Sequence, residues 1–267
     1  MRLSAHALDR RDLCERRFTL EFGEHLGWPA AGSAYGRATT DPPGRGAALG
    51  QEFHRLVQRH RLGIPTRPEG EVAGLWEAFL TSPYADTPRG QGPAEALAPE
   101  PRDRCIWNEQ VLQFALPGQD GEPVAFQVRF DELRRLGDGN WIILDWKTGR
   151  FHPRDPENLW QSRLYRFALA HAGEVLTGAT VPPESIKLVY WLVSEGRGLP
   201  ALPYDSRRFA ADRRDLEAIA RALVPLERAI GPADARSCSS CPFDSYCHAP
   251  VPPEAPTPPL RRPTFRP

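Results

Sequence analysis

Between Asn108 and Lys147 the chain holds three runs of β-forming residues separated by turn signals, and this block constrains the fold more than any other stretch. NEQVLQFAL and PVAFQVRFDELRRL combine β-branched, aromatic and alternating residues, and GDGN is a strong turn ahead of WIILDWKTGR. The spacing predicts a three-stranded meander. Helical patterns flank it: ALGQEFHRLVQRHRLG repeats Leu49, Phe53, Leu56 and Val57 at roughly helical intervals. After the meander come an amphipathic helix in PENLWQSRLYRFALAHAG and a buried strand in IKLVYWLV. A long arginine-rich helix follows in SRRFAADRRDLEAIARALVPLERAI. Helix, three strands, helix, strand, helix implies an α/β fold, a mixed sheet with helices on its faces. Residues 27–46 and the Pro/Gly-rich stretch after Leu80 read as loops. Residues 250–267 are too rich in proline to fold and read as a disordered tail.

The 267 residues carry 34 basic and 34 acidic side chains, which excludes a polycation that binds nucleic acid by bulk charge. Any such binding must use a local patch, and the arginines at 10, 11, 16 and 17 are interleaved with Asp9, Asp12 and Glu15. The first residues alternate charges without an apolar core, so no secretory signal is expected. IKLVYWLV is strand-sized and cannot span a bilayer. The expectation is a cytoplasmic protein with no membrane partner, whose five cysteines serve as metal ligands or buried small hydrophobes.

Asp131 and Asp145 fall on neighbouring strands joined by the GDGN turn, which can set the two carboxylates side by side. Lys147 lies two residues beyond Asp145, on the same face of its strand, and is one of only two lysines among the 34 basic residues. Trp146 points to the opposite face, leaving its backbone carbonyl available. Two carboxylates and a carbonyl suit a hard divalent cation such as Mg²⁺ or Mn²⁺. A neighbouring ammonium can position a water or neutralise charge developing on a phosphate, where the rigid guanidinium fork has the wrong geometry. Glu132 is expected to face away from Asp131, and Glu109 is left outside the site.

Asp131 followed by Asp145-Trp146-Lys147-Thr148-Gly149 resembles the core of the PD-(D/E)XK nuclease superfamily in its RecB-like branch. Gly50-Gln51-Glu52-Phe53-His54 is similar to the branch's Gly-x-x-x-His helix, and Gln161-Ser162-Arg163-Leu164-Tyr165 to its Gln-x-x-x-Tyr helix. The resemblance implies a restriction-endonuclease-like mixed central sheet flanked by helices. His54, Asp131, Asp145 and the Trp146 carbonyl would hold the ion, and Lys147 would assist catalysis. Gln161 and Tyr165, four apart on one helical face, would orient the substrate. His60 is read as structural.

Near the C-terminus CSSCPFDSYC spaces Cys238, Cys241 and Cys247 as metal ligands, with Cys14 the candidate fourth. Four thiolates suit zinc or an iron–sulfur cluster. Iron–sulfur members of the RecB-like branch, among them CRISPR-associated exonucleases and AddB-type nucleases, resemble this arrangement, one cysteine before the core and three after it. The resemblance therefore implies a [4Fe-4S] cluster stapling the termini. Cys105 is read as a spare buried thiol and His248 as a substitute ligand. Two departures are Glu15 after Cys14, where proline is usual, and Val128, where glycine often stands before the first aspartate.

One nuclease domain is expected over residues 1–249, with cluster-binding ends at 10–20 and 236–249 and a core at 50–230. The implied activity is metal-dependent exonuclease cleavage of single-stranded DNA in repair, recombination or CRISPR adaptation. No nucleotide-binding glycine loop is seen, so a stand-alone nuclease or a subunit that borrows a motor is expected, with DNA, and a helicase or CRISPR integrase subunit, as the candidate partners. The alternative is a catalytically silent DNA-binding or assembly module organised by the cysteine site.

Overall fold

The computed structural model describes residues 2–23, 45–85 and 105–223, with 229, 231, 238, 239, 241–244 and 247. In chain order the elements are β1 (Arg2–Leu3), α1 (Ala5–Leu13), α2 (Glu15–Phe18), α3 (Arg45–Arg61), α4 (Val72–Leu80), β2 (Cys105–Pro117), β3 (Pro123–Arg135) and β4 (Trp141–Lys147). They continue with α5 (Trp160–Ala172), α6 (Glu174–Thr177), β5 (Ile186–Leu192), β6 (Arg197–Gly198), β7 (Leu202–Pro203) and α7 (Ser206–Arg221). The expected meander is β2, β3 and β4. Its second turn closes through Asn140, whose N–H donates to Asp138 Oδ1 at 2.9 Å, with Gly139 supplying a φ of 85°.

β3 organises the sheet. β2 pairs antiparallel along one edge of it, from Pro117↔Pro123 to Cys105↔Arg135. The other edge is shared by β1, parallel at Arg2↔Ala125, and β4, antiparallel at Arg135↔Trp141. β5 then runs parallel to β4, with Asp145 opposite Tyr190, and carries β6 and β7 antiparallel on its far side. The β4–β5 pair is parallel because α5 lies between them in sequence and returns the chain across one face.

Two cores form, one on each face. Leu3, Leu8, Phe126, Phe130, Leu133, Ile143, Leu164, Phe167 and Leu216 pack α1, α5 and α7 on one side. Phe53, Val57, Trp76, Phe79, Leu144, Trp146 and Trp191 pack α3 and α4 on the other. β4 alternates between them: Trp141 and Ile143 face α5, and Leu144 and Trp146 face α3. That alternation turns Asp145 and Lys147 towards α5.

Several elements differ from the sequence reading, among them the short pieces α2, α6, β6 and β7, which it did not anticipate. The short strand β1 and helices α1 and α4 were not anticipated, and α7 ends with its cap at Ala222, short of the expected Ile230. Pro225 disfavours helix in the residue before it, which explains an early stop. Most of the expected 27–46 loop, the Pro/Gly-rich stretch beyond Ala85 and the 250–267 tail lie outside the described residues. So do the side chains of Cys105 and His248. No helix among the described residues is long and apolar enough to cross a membrane.

Candidate active site

The antiparallel β3–β4 register runs from Arg135↔Trp141 to Glu132↔Leu144, so the next position brings Asp131 opposite Asp145. Asp131 Oδ2 accepts the Trp146 N–H at 2.9 Å, which ties the two strand ends together. Asp145 is 2% exposed, and its Oδ1 lies 2.7 Å from Lys147 Nζ without an aligned hydrogen bond. Gln161, the second residue of α5, bridges the pair. Its Oε1 accepts from Lys147 Nζ at 2.8 Å, and its Nε2 donates to Asp145 Oδ2 at 2.6 Å and to the Tyr165 hydroxyl at 3.2 Å. The Lys147 ammonium also sits 4.7 Å from the Phe151 ring centroid and 5.2 Å from that of Tyr190. Such a close-fitted pocket takes a compact ammonium better than a planar guanidinium.

α5 is anchored so that Gln161 and Tyr165 cannot drift. Arg166, buried within the helix, donates to the carbonyls of Glu157, Ser162 and Pro203 at 2.8–2.9 Å. Arg163 reaches Asp212 on α7 at 2.7 Å.

α3 brings the histidine from the opposite face. His54 Nδ1 lies 3.6 Å from Asp131 Oδ1 and 3.6 Å from Glu109 Oε1. Gly50, one turn earlier, eases that approach, because a Cβ there would press on Thr148 Oγ1 at 3.0 Å. His60, the histidine read as structural, instead packs edge-on against Trp76 and Phe79.

Glu109 is the residue that the sequence reading left out. Together with His54 and Asp131 it offers ligand atoms all within 4.8 Å of one another. Its backbone has a φ of 51°, the one non-glycine residue with positive φ among the described residues. The β2–β3 ladder skips the Glu109–Asp131 pair while keeping register on both sides. Phe130 and Leu133 consequently both face the α5 core, as do Trp107 and Leu112 on β2, so side-chain alternation slips in both strands. This local distortion aims Glu109 at His54. Glu132, as expected, points away from Asp131, towards Arg61 and Arg134.

The electrostatics of the cluster are unbalanced. Burial and the Asp145 carboxylate push the Asp131 carboxyl up to about 8, against the opposing pull of His54 and the Trp146 N–H. Burial works to lower the His54 imidazole, but Glu109, Asp131 and Asp145 outweigh it and raise it above its ordinary value. Burial, then Asp145 and Asp131, hold the Tyr165 phenol far up and therefore protonated. Three carboxylates and an imidazole converging at a strand end make a donor set that fits a hard divalent cation, and such a cation would offset their mutual repulsion.

At the other sites, Cys14 lies between α1 and α2, where its sulfur accepts the Arg17 N–H at 3.3 Å. Cys14, Cys238, Cys241 and Cys247 are half-buried, and none is in a disulfide. Burial raises the Cys247 thiol, the Arg16 guanidinium opposes this, and the Cys241, Cys14 and Cys238 thiols reinforce it. The cysteines from the two ends of the sequence are thus electrostatic neighbours.

A family model described as the PD-(D/E)XK nuclease superfamily matches residues 2–248. The chain belongs to that superfamily. Membership makes the protein a nuclease-type hydrolase whose substrate class is DNA and whose relatives typically use divalent metal ions. No curated protein matches the chain. In three dimensions this PD-(D/E)XK chain is similar to the crystal structure of SSO0001. The TM-score is 0.42 with 17% identity, over 93% of this chain and 86% of that one.

Proposed function

We propose that the protein is a metal-dependent deoxyribonuclease of the RecB-like branch, an exonuclease acting on single-stranded DNA. The observation that carries this reading is the convergence of His54, Asp131, Asp145 and Lys147, from α3, β3 and β4, at one end of the sheet. In this reading His54, Asp131, Asp145 and the Trp146 carbonyl hold a Mg²⁺ or Mn²⁺ ion, and Glu109 joins them. When bound, such an ion would polarise the phosphodiester and lower the pKa of a water.

The chain's own groups do the rest. Lys147, fixed by Asp145 and Gln161, offsets negative charge growing on the phosphate. Gln161 keeps the ammonium and the carboxylate in one orientation through its two amide atoms. Tyr165 remains protonated and serves as a donor to the strand. Cys14, Cys238, Cys241 and Cys247 hold a [4Fe-4S] cluster that staples the ends of a domain spanning residues 1–249; their electrostatic proximity supports this, and zinc would suit the same thiolates. The cellular role is cytoplasmic DNA repair, recombination or CRISPR adaptation beside a helicase or integrase subunit.

The test is cleavage of end-labelled single-stranded DNA by anaerobically purified protein with Mn²⁺, Mg²⁺ or chelator. Wild type is expected to degrade the strand only with metal, and the label position reads the polarity. Lys147→Ala and Lys147→Arg are both expected to lose about 10²–10³-fold in rate. Substantial activity in the arginine variant would count against the role assigned to the ammonium. A folded, metal-replete wild type that binds DNA without cutting it would favour the silent binding module.

A further inference from the structure

A cleft of about 580 Å³ opens between α3 and the β2–β3 edge, and its lining includes His54, Glu109 and Asp131. Apart from His54, the cations lining it are Arg55 and Arg129. Arg55 lies 4.0 Å from Glu52 on its own helix. Arg129 is 63% exposed, and its Nη1 lies 3.9 Å from Glu109 Oε2, while the other oxygen of Glu109 faces His54 at 3.6 Å. Glu109 therefore stands between a metal-site residue and a solvent-facing guanidinium, aimed there by its left-handed backbone.

We propose that Arg129 binds a phosphate of the DNA strand lying in this cleft, and that Glu109 couples its availability to metal loading. The inference rests on the nuclease reading and extends it to substrate binding. Arg129 precedes Asp131 by two residues on β3, about 6.6 Å along an extended strand. That is the reach from one phosphate to its neighbour in an extended polynucleotide. A guanidinium fork matches two phosphate oxygens, so arginine suits this position as lysine suits position 147. A half-exposed pair at 3.9 Å is weak, and Arg129 can leave it readily. An ion at His54 and Asp131 draws the charge of Glu109 towards itself and loosens its hold on Arg129. Coupling of this kind is reciprocal: metal tightens DNA binding, and DNA tightens metal binding by the same factor.

The experiment is fluorescence anisotropy with a labelled oligothymidylate and the full chain in a Lys147→Ala background, which slows cleavage so that binding is read before the probe is cut. Titrations run in chelator and in saturating Mn²⁺ across a salt series, with metal occupancy followed by calorimetry. Arg129→Gln is expected to weaken binding severalfold and to lower the slope of log affinity against log salt by about one. The Mn²⁺-dependent gain in affinity is expected in the parent and absent from Glu109→Gln. Glu109→Asn, which tolerates the left-handed backbone, guards against misfolding and should behave likewise. Unchanged affinity and slope in Arg129→Gln would overturn the phosphate contact, and a Mn²⁺ gain that survives in both metal-replete Glu109 variants would overturn the coupling. The same protein with Lys147 intact separates this inference from the reading beneath it. Metal-dependent cleavage alongside unchanged Arg129→Gln binding sinks the inference alone, whereas neither cleavage nor binding sinks both.

Discussion

Asp131 and Glu132 are adjacent on one strand, both carry carboxyl groups in the protein interior, and their surroundings are opposite. Glu132 is 0% exposed and flanked by two guanidiniums, Arg61 with Nε at 3.1 Å and Arg134, which both also donate to the Tyr84 carbonyl. Every charge there has an opposite within reach, and the network ties α3 and the turn after α4 to β3. Asp131 instead faces Asp145 and Glu109, with His54 and Lys147 too few to balance them. The same strand thus builds one carboxylate into structure and leaves its neighbour in deficit. A deficit of that kind is costly unless something binds, so the imbalance marks the working side of the strand.

The comparison breaks first at Glu132. Glu132→Ala removes the carboxylate that two buried guanidiniums share and is expected to destabilise the protein by about 3–5 kcal/mol, measured by urea unfolding. Asp131→Asn should do the reverse in chelator. Because the folded Asp131 carboxyl is raised from 3.8 to about 8, the folded chain keeps a proton that the unfolded chain releases between those values. Stability of the metal-free protein therefore falls as pH rises across that window, and raised His54 adds in the same direction. Asp131→Asn is expected to flatten this fall and to be more stable at pH 8 by on the order of 1–2 kcal/mol, while cleavage is lost. Thermal melts at several pH values check both, and added Mn²⁺ should restore wild-type stability most at the alkaline end. The smallest effect belongs to Gly50→Ala. Its Cβ presses on Thr148 Oγ1 at 3.0 Å, so metal affinity should drop a few-fold by calorimetry while stability moves by less than about 1 kcal/mol.

Much of the fold and part of the site could be read from the chain because their signals are local. Alternation in WIILDWK put Asp145 and Lys147 on one face and Trp146 on the other, as the structure has them. Helical spacing brought Gln161 and Tyr165 together, and the GDGN turn set Asp131 against Asp145. Glu109 escaped for a physical reason. Its place depends on a left-handed residue inside a strand, and glutamate, unlike glycine or asparagine, gives no sign of that conformation. Strict alternation also assumes an unbroken ladder, which β2 and β3 do not keep here. α1 and α4 were missed because each is only nine residues long and is fixed by packing against other elements. α4 in particular is held by Trp76 and Phe79 against Trp146 and α3.

The parallel crossover from β4 through α5 has a further consequence, one of timing. Asp145, Lys147, Gln161 and Tyr165 fall within a single stretch of chain and can assemble from neighbours, as quickly as a strand and its following helix can meet. His54 and Glu109 arrive from far upstream, and only once α3 has docked over Gly50 and the twisted ladder of β2 has closed. A half-formed molecule thus holds the lysine and the hairpin acids Asp131 and Asp145 without the rest of the proposed ion cradle. Its destructive chemistry waits on the last long-range contacts, so completion of the fold is itself the safety catch.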